Sequence, residues 1–322
     1  MMNLPILATI PRSGTWFLRL VVSFLCCLDG GGAVADRLTG EIHGNRGGKR
    51  FDIRQMHGGP LFGVGASLPV EHLFIGHAVC PGFSAVAHKV DWWARGDFHA
   101  PGFDYFHAGL NYAYTPVDFD AGRRYLPVDV AALDAAPWAD RDHRTALVYR
   151  NPIDQAESHY HFLGAHIDPA MRSFQGQPLG EVGFRRFLFE AALPAYARQF
   201  ISFQRMAAER PGQVALVAYE HLTANPERVM PELLNHLGAL GDNSRRTWPL
   251  LPQAIHLARK EHVRALEKEL GHSLDGERPG DSHLRRNGAP ELAEQLGPGL
   301  RNEALDYLAS MGVDTGRIAF AA

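Results

Sequence analysis

The sequence predicts an α/β fold, a single domain with a central parallel β-sheet flanked by helices, and two observations carry that prediction. Four short apolar runs, residues 4–10, 73–79, 145–149 and 214–218, lack the alternation of a half-exposed strand. They read as strands buried on both faces, as parallel strands are. Segments of helical period separate or follow them at 13–28, from 152 onward, and at 184–210, 226–240, 254–270 and 298–311. Strands alternating with helices imply parallel connections with helices on both faces of the sheet.

The first run ends at Pro11, and "PRSGT" leads into an apolar helical segment stopped by Asp29 and three glycines. Residues 39–65 form a Gly-rich stretch of mixed charge, a long loop of the kind that is often functional. The second run stops at Pro81-Gly82. Residues 92–120 show no clear period and are dense in aromatic and His residues, so that 39–125 reads as a loop-rich insert in a single domain spanning 1–322. The helix after the third run has strong punctuation: Asn151 as N-cap, Pro152 at the first position and Asp154 in the first turn. Pro194 is expected to kink the segment 184–210. The charges of 254–270, such as Arg259, Lys260, Glu261 and Glu267, suit a solvated helix face.

Composition narrows the function classes. The formal charge of -3 offers no overall basic field for nucleic acid. Three cysteines, two of them adjacent (Cys26, Cys27, Cys80), make no disulfide framework and no zinc spacing, which points to a reducing compartment, the cytoplasm. The apolar run 16–28 is too short to span a bilayer and is broken by Arg19. No basic residue precedes the first strand, as a signal peptide would require.

In parallel sheets, ligands bind at the carboxyl ends of strands. That places interest on residues 12–15, His77, Arg150 and Tyr219. The start of a helix has unpartnered amides and a partial positive charge. With the side chains of Arg12, Ser13 and Thr15, and with Gly14 admitting a ligand to the backbone, the turn suits a phosphate or sulfate. It is not a Walker A loop, since Gly-x-x-x-x-Gly-Lys-Ser/Thr is absent. An ordinary strand–turn–helix with a Ser/Thr cap fits the same five residues. Ser158 lies two helical turns beyond Asn151, on the face of the helix start, so Arg150 and Ser158 can meet one phosphate. A surface Arg beside a helical Ser is the plain alternative.

The two motifs together, in this order, resemble those of the sulfotransferases that use 3′-phosphoadenosine 5′-phosphosulfate. "IPRSGTWFL" is similar to that family's 5′-phosphosulfate loop, Pro-Lys-Ser-Gly-Thr-Thr-Trp. "VYRNPIDQAESHYHF" is similar to its 3′-phosphate motif, with Ser eight residues after Arg. "ALVAYEHLTANPERVMPELLNHLG" resembles the Tyr-Glu-Asp-Leu segment, "IHLARKEHVRALEKELG" the helix after it, and "HLRRNGAPELAEQL" the C-terminal Arg-Lys-Gly loop.

The resemblance implies a P-loop-like, phosphosulfate-binding strand–loop–helix. Arg12, Ser13, Gly14 and Thr15 would hold the 5′-phosphosulfate, with Trp16 where a Thr donor is common and Phe17 in place of the adenine-stacking Trp. Arg150 and Ser158 would hold the 3′-phosphate, Tyr219 would contact the adenine, and Arg285 and Arg286 would cap the 3′-phosphate. Arg12 replaces the usual Lys; it can neutralise the leaving phosphate but cannot donate a proton to it. The family's base is a His at a strand end. Here His77 is the best stand-in, with His107 and His99 as rivals and Tyr125 nearer in chain distance but largely protonated at pH 7. The implied reaction is in-line sulfuryl transfer to the hydroxyl, or the amine, of a small-molecule acceptor, leaving adenosine 3′,5′-bisphosphate. It requires no metal. A homo-oligomer is compatible with it, and 39–125 would form the acceptor side, with the aromatic stretch 92–114 as pocket lining or as a packed flap. A nucleoside-phosphate kinase or related NTPase, and an inactive nucleotide binder, are the competing readings.

Overall fold

A computed structural model describes residues 6–29, 74–76, 144–166, 173–174, 177–178, 181, 183–239, 244–270 and 292–318. Strands β1 (Ile6–Thr9), β2 (Phe74–Gly76), β3 (Thr145–Tyr149) and β4 (Val214–Ala218) form one sheet in the order β2–β1–β3–β4, and every pairing is parallel. The register sets Thr9 beside Val148 and Tyr149 beside Ala218, so the carboxyl ends of β1, β3 and β4 lie at one edge. Helix α1 (Thr15–Asp29) follows β1, and α2 (Pro152–His166) follows β3. Then come α3 (Leu193–Glu209), α4 (Tyr219–Ala224), α5 (Pro226–Leu237), α6 (Leu251–Leu257), α7 (Lys260–Leu270) and α8 (Leu300–Ser310).

The apolar runs are continuous because alternate residues feed two cores. Leu7, Ala146 and Val148 face one core, with Leu18, Val21, Val22 and Leu25 of α1, Leu233, Leu234 and Leu237 of α5, and Ile255 of α6. Ala8, Ile10, Leu147 and Tyr149 face the other, with Ala156 of α2, Tyr196, Phe200 and Phe203 of α3, and Leu308 of α8. A strand buried on both faces has no solvated position to fill with a polar residue.

Three expectations change in detail. The segment 184–210 is a helical turn (Phe184–Phe187), a π-helical turn (Leu188–Ala192) and then α3, with Pro194 at the start of α3. Proline brings no N–H to the ladder, and the wide turn before it takes up the mismatch. The expected helix 254–270 is two: α6 closes with the Arg259 amide donating to the His256 carbonyl at 3.2 Å, and α7 begins at Lys260. Arg259 pairs there with Glu227 of α5, an exposed pair of small energetic weight. Finally, α5 ends sooner than expected, at a left-handed Gly238 (φ 62°), where the Ala239 amide donates to the Leu234 carbonyl at 3.0 Å.

Among the described residues no helix is long and apolar enough to cross a membrane. The expectations placed on His77, His99, His107, Tyr125, Arg285, Arg286, the 39–65 loop and most of the 39–125 insert lie outside the described residues.

Candidate active site

The sheet has a switch point at β1, flanked by β2 on one side and β3 on the other. The helix that follows β1 packs on one face, and the helix that follows β3 packs on the other. Chains leaving adjacent strand ends in opposite directions open a crevice at their carboxyl edge, the general binding place of open α/β sheets.

The turn after β1 is built for that crevice. The Ser13 amide donates to the Ile10 carbonyl at 3.0 Å, and left-handed residues stand on either side, Arg12 (φ 69°) and Gly14 (φ 88°). Arg12 is the one described non-glycine residue at positive φ. Such a conformation costs roughly 1–2 kcal/mol and lets successive amides face one concavity. The Leu18 amide makes the first helical bond, to the Gly14 carbonyl, so the amides of Thr15, Trp16 and Phe17 precede the ladder. Ser13 is fully buried, yet its Oγ has no hydrogen-bond partner among the described residues. A buried hydroxyl left without a partner in an anion turn is the fit expected of a ligand contact. Thr15 Oγ1 lies 2.6 Å from Thr9 Oγ1, which ties the helix start to the strand end.

Arg150 is held by its backbone. Its carbonyl accepts from the Tyr196 hydroxyl at 3.0 Å, and the next amide, of Asn151, donates to Glu220 Oε1 at 2.8 Å. Burial pushes the Tyr196 phenol well above its ordinary pKa, so it stays protonated and donates. Asn151 Oδ1 accepts from the Ile153 amide at 2.9 Å, the N-cap expected from the sequence. The Arg150 guanidinium lies 5.3 Å from the centre of the Tyr219 ring, within cation–π range, and Nη2 lies 3.9 Å from Asp154.

Two contacts join these halves. Arg12 Nε donates to Ser158 Oγ at 3.3 Å, across 146 positions of sequence. Tyr219 lies so close to Gly14 that a Cβ there would stand 2.7 and 2.8 Å from two ring carbons. Arg12, Ser13, Gly14, Arg150, Ser158 and Tyr219 are therefore one constellation. Trp16 and Phe17 are partly buried against the core that also takes Tyr219. The Arg19 guanidinium lies 5.7 Å from the Trp16 ring centre, and burial lowers its pKa to about 9.

Glu220, Tyr196, Gln155 and Gln199 also support the site and were not anticipated. No local pattern marked Tyr196 and Gln199, which share their helix with Arg198, Ser202, Gln204 and Arg205. The arrangement can bind two anionic groups, one at the Arg12–Ser13 turn and one near Arg150 and Ser158, with an aromatic ring between them.

No family model and no curated protein matches the sequence. Among solved structures, the chain is similar to a mouse sulfotransferase complexed with PAP, with a TM-score of 0.47 and 13% identity over 98% of this chain and 85% of that one. A second is retinol dehydratase in a complex with retinol and PAP, at 0.45 and 14% over 99% and 83%. A third is the same protein with androsterone and inactive cofactor PAP, at 0.44 and 11% over 99% and 82%. A likeness at this level carries nothing about activity, and the chemistry of this chain has to come from its residues.

Proposed function

We propose that the chain is a sulfotransferase, moving the sulfuryl group of 3′-phosphoadenosine 5′-phosphosulfate to a hydroxyl, or an amine, of a small-molecule acceptor. One observation carries this reading: the hydrogen bond from Arg12 to Ser158, which brings the anion turn and the Arg150 helix start into one site. The buried, unpartnered Ser13 hydroxyl and the approach of Tyr219 to Gly14 support it.

The co-substrate supplies a sulfuryl group already bound to a good leaving group. The acceptor oxygen bonds to sulfur as the bond from sulfur to the phosphate oxygen breaks, and the charge grows on that phosphate. Arg12, Ser13 and the loop amides hold the place where it grows, which lowers the barrier more than it strengthens ground-state binding. Arg150 and Ser158 hold the 3′-phosphate, and Tyr219 and Phe17 the adenine, with Arg285 and Arg286 closing over the 3′-phosphate. His77 takes the acceptor proton, with His107 and His99 as the alternatives. The chain acts as a single domain in the cytoplasm, with 39–125 forming the acceptor side.

The test is ligand stabilisation. Adenosine 3′,5′-bisphosphate at a hundredfold excess over its Kd should stabilise the fold by about 2.7 kcal/mol, a rise of several degrees in Tm. No rise at saturation sinks the reading, and a larger rise with ATP and Mg²⁺ replaces it with a kinase-like one. In a labelled-donor assay with pooled acceptors, His77→Ala is expected to lower turnover by about 10²–10⁴-fold while leaving bisphosphate binding intact. Unchanged turnover moves the base to another residue.

A further inference from the structure

The carbonyls at the end of β1 are all engaged on the protein side. The Thr9 carbonyl accepts from Gln199 Nε2 at 3.0 Å, the Ile10 carbonyl from the Ser13 amide at 3.0 Å, and the Pro11 carbonyl from Gln155 Nε2 at 2.8 Å. Gln155 comes from α2 and is almost wholly buried. Its Oε1 has no hydrogen-bond partner among the described residues. A leucine or methionine would fill the same space without stranding a polar atom, so packing does not account for the amide.

The peptide plane does. In a trans peptide the C=O and the following N–H point in opposite directions across one rigid unit. Fixing the Pro11 carbonyl against α2 therefore aims the Arg12 amide away from α2. We infer that Gln155 is a positioning residue of the anion turn: by holding the Pro11 carbonyl inward, it keeps that oxygen away from a bound anion and presents the Arg12 N–H on the opposite side. This rests on the nucleotide reading above and adds to it a residue that touches no ligand.

Gln155→Met removes the donor and keeps the volume. The experiment measures Kd by calorimetry for adenosine 3′,5′-bisphosphate and for adenosine 3′-monophosphate, which lacks the 5′ group, alongside the Tm of the unliganded protein. The bisphosphate Kd should rise about tenfold, the scale of one lost hydrogen bond, with the monophosphate Kd unchanged. Equal changes for both ligands, or none, overturn the inference while leaving the nucleotide reading standing. Failure of the wild-type protein to bind the bisphosphate overturns both.

Should Gln155→Met not fold, Gln155→Leu, which also lacks the donor and strands no polar atom, is measured in the same way. A bisphosphate Kd equal to that of wild type in the folded variant overturns the inference.

Discussion

Arg12→Ala should lower turnover by about 10²–10³-fold, the loss typical of removing one preorganised donor from a site of developing charge. Tm should stay nearly unchanged. The Arg12 side chain is half-buried and reaches across the crevice to Ser158 rather than into either core. Alanine keeps a Cβ, and so keeps the left-handed strain that arginine already bears at φ 69°. Arg12→Gly should therefore be the more stable of the two variants, by up to about 1–2 kcal/mol, and as inactive. Arg12→Lys restores a point charge without the fork of donors and should recover part of the rate. Steady-state kcat and donor KM, with thermal melts of all three variants, check this. A kcat within a factor of a few of wild type for Arg12→Ala would show that the charge develops elsewhere.

Gly14→Ala should weaken bisphosphate binding by about 10²-fold. The strain of a side chain at φ 88°, roughly 1–2 kcal/mol, is borne with or without ligand and lowers Tm, whereas a Cβ at 2.7 Å from Tyr219 must displace that ring from the site. The ring is also the surface on which the Arg150 guanidinium lies, an arrangement worth about 0.5–2 kcal/mol. Each factor of ten needs only about 1.4 kcal/mol. The check is a double-mutant cycle with Tyr219→Ala. If the clash is the cause, Gly14→Ala costs less in the Tyr219→Ala background, with a coupling of about 0.5–3 kcal/mol. Strict additivity would show that displacement of the ring is not the cause.

The strands were legible because burial on both faces leaves an unbroken apolar run, and Leu7 and Ala8 pointing into opposite cores is the structural form of that pattern. Asn151 and Pro152 were legible because a helix start has local chemistry. The break at Ala258–Arg259 was not, since apolar spacing continues through it and a turn stabilised by burial of Ala258 leaves no turn residue behind. In the site, the pairing of Arg12 with Ser158 could be anticipated only from two motifs read together, as no local pattern links residues so far apart. Gln155, Gln199 and Tyr196 were illegible for a different reason. Each acts by donating from a side chain to a distant backbone carbonyl, and the acceptor, being main chain, carries no mark in the sequence.

The separation of Arg12 from Ser158 also bears on how the protein is made. At roughly 5–20 residues per second, a ribosome takes about 7–30 s to travel 146 positions. Throughout that interval β1 lacks its β3 neighbour and has β2 as its one partner among the described strands. An apolar strand with an open edge is the kind of segment that nascent-chain chaperones bind. The turn at residues 12–15 is thus made long before the helix that completes its surroundings, and slowing translation between residues 76 and 145 would lengthen its exposure.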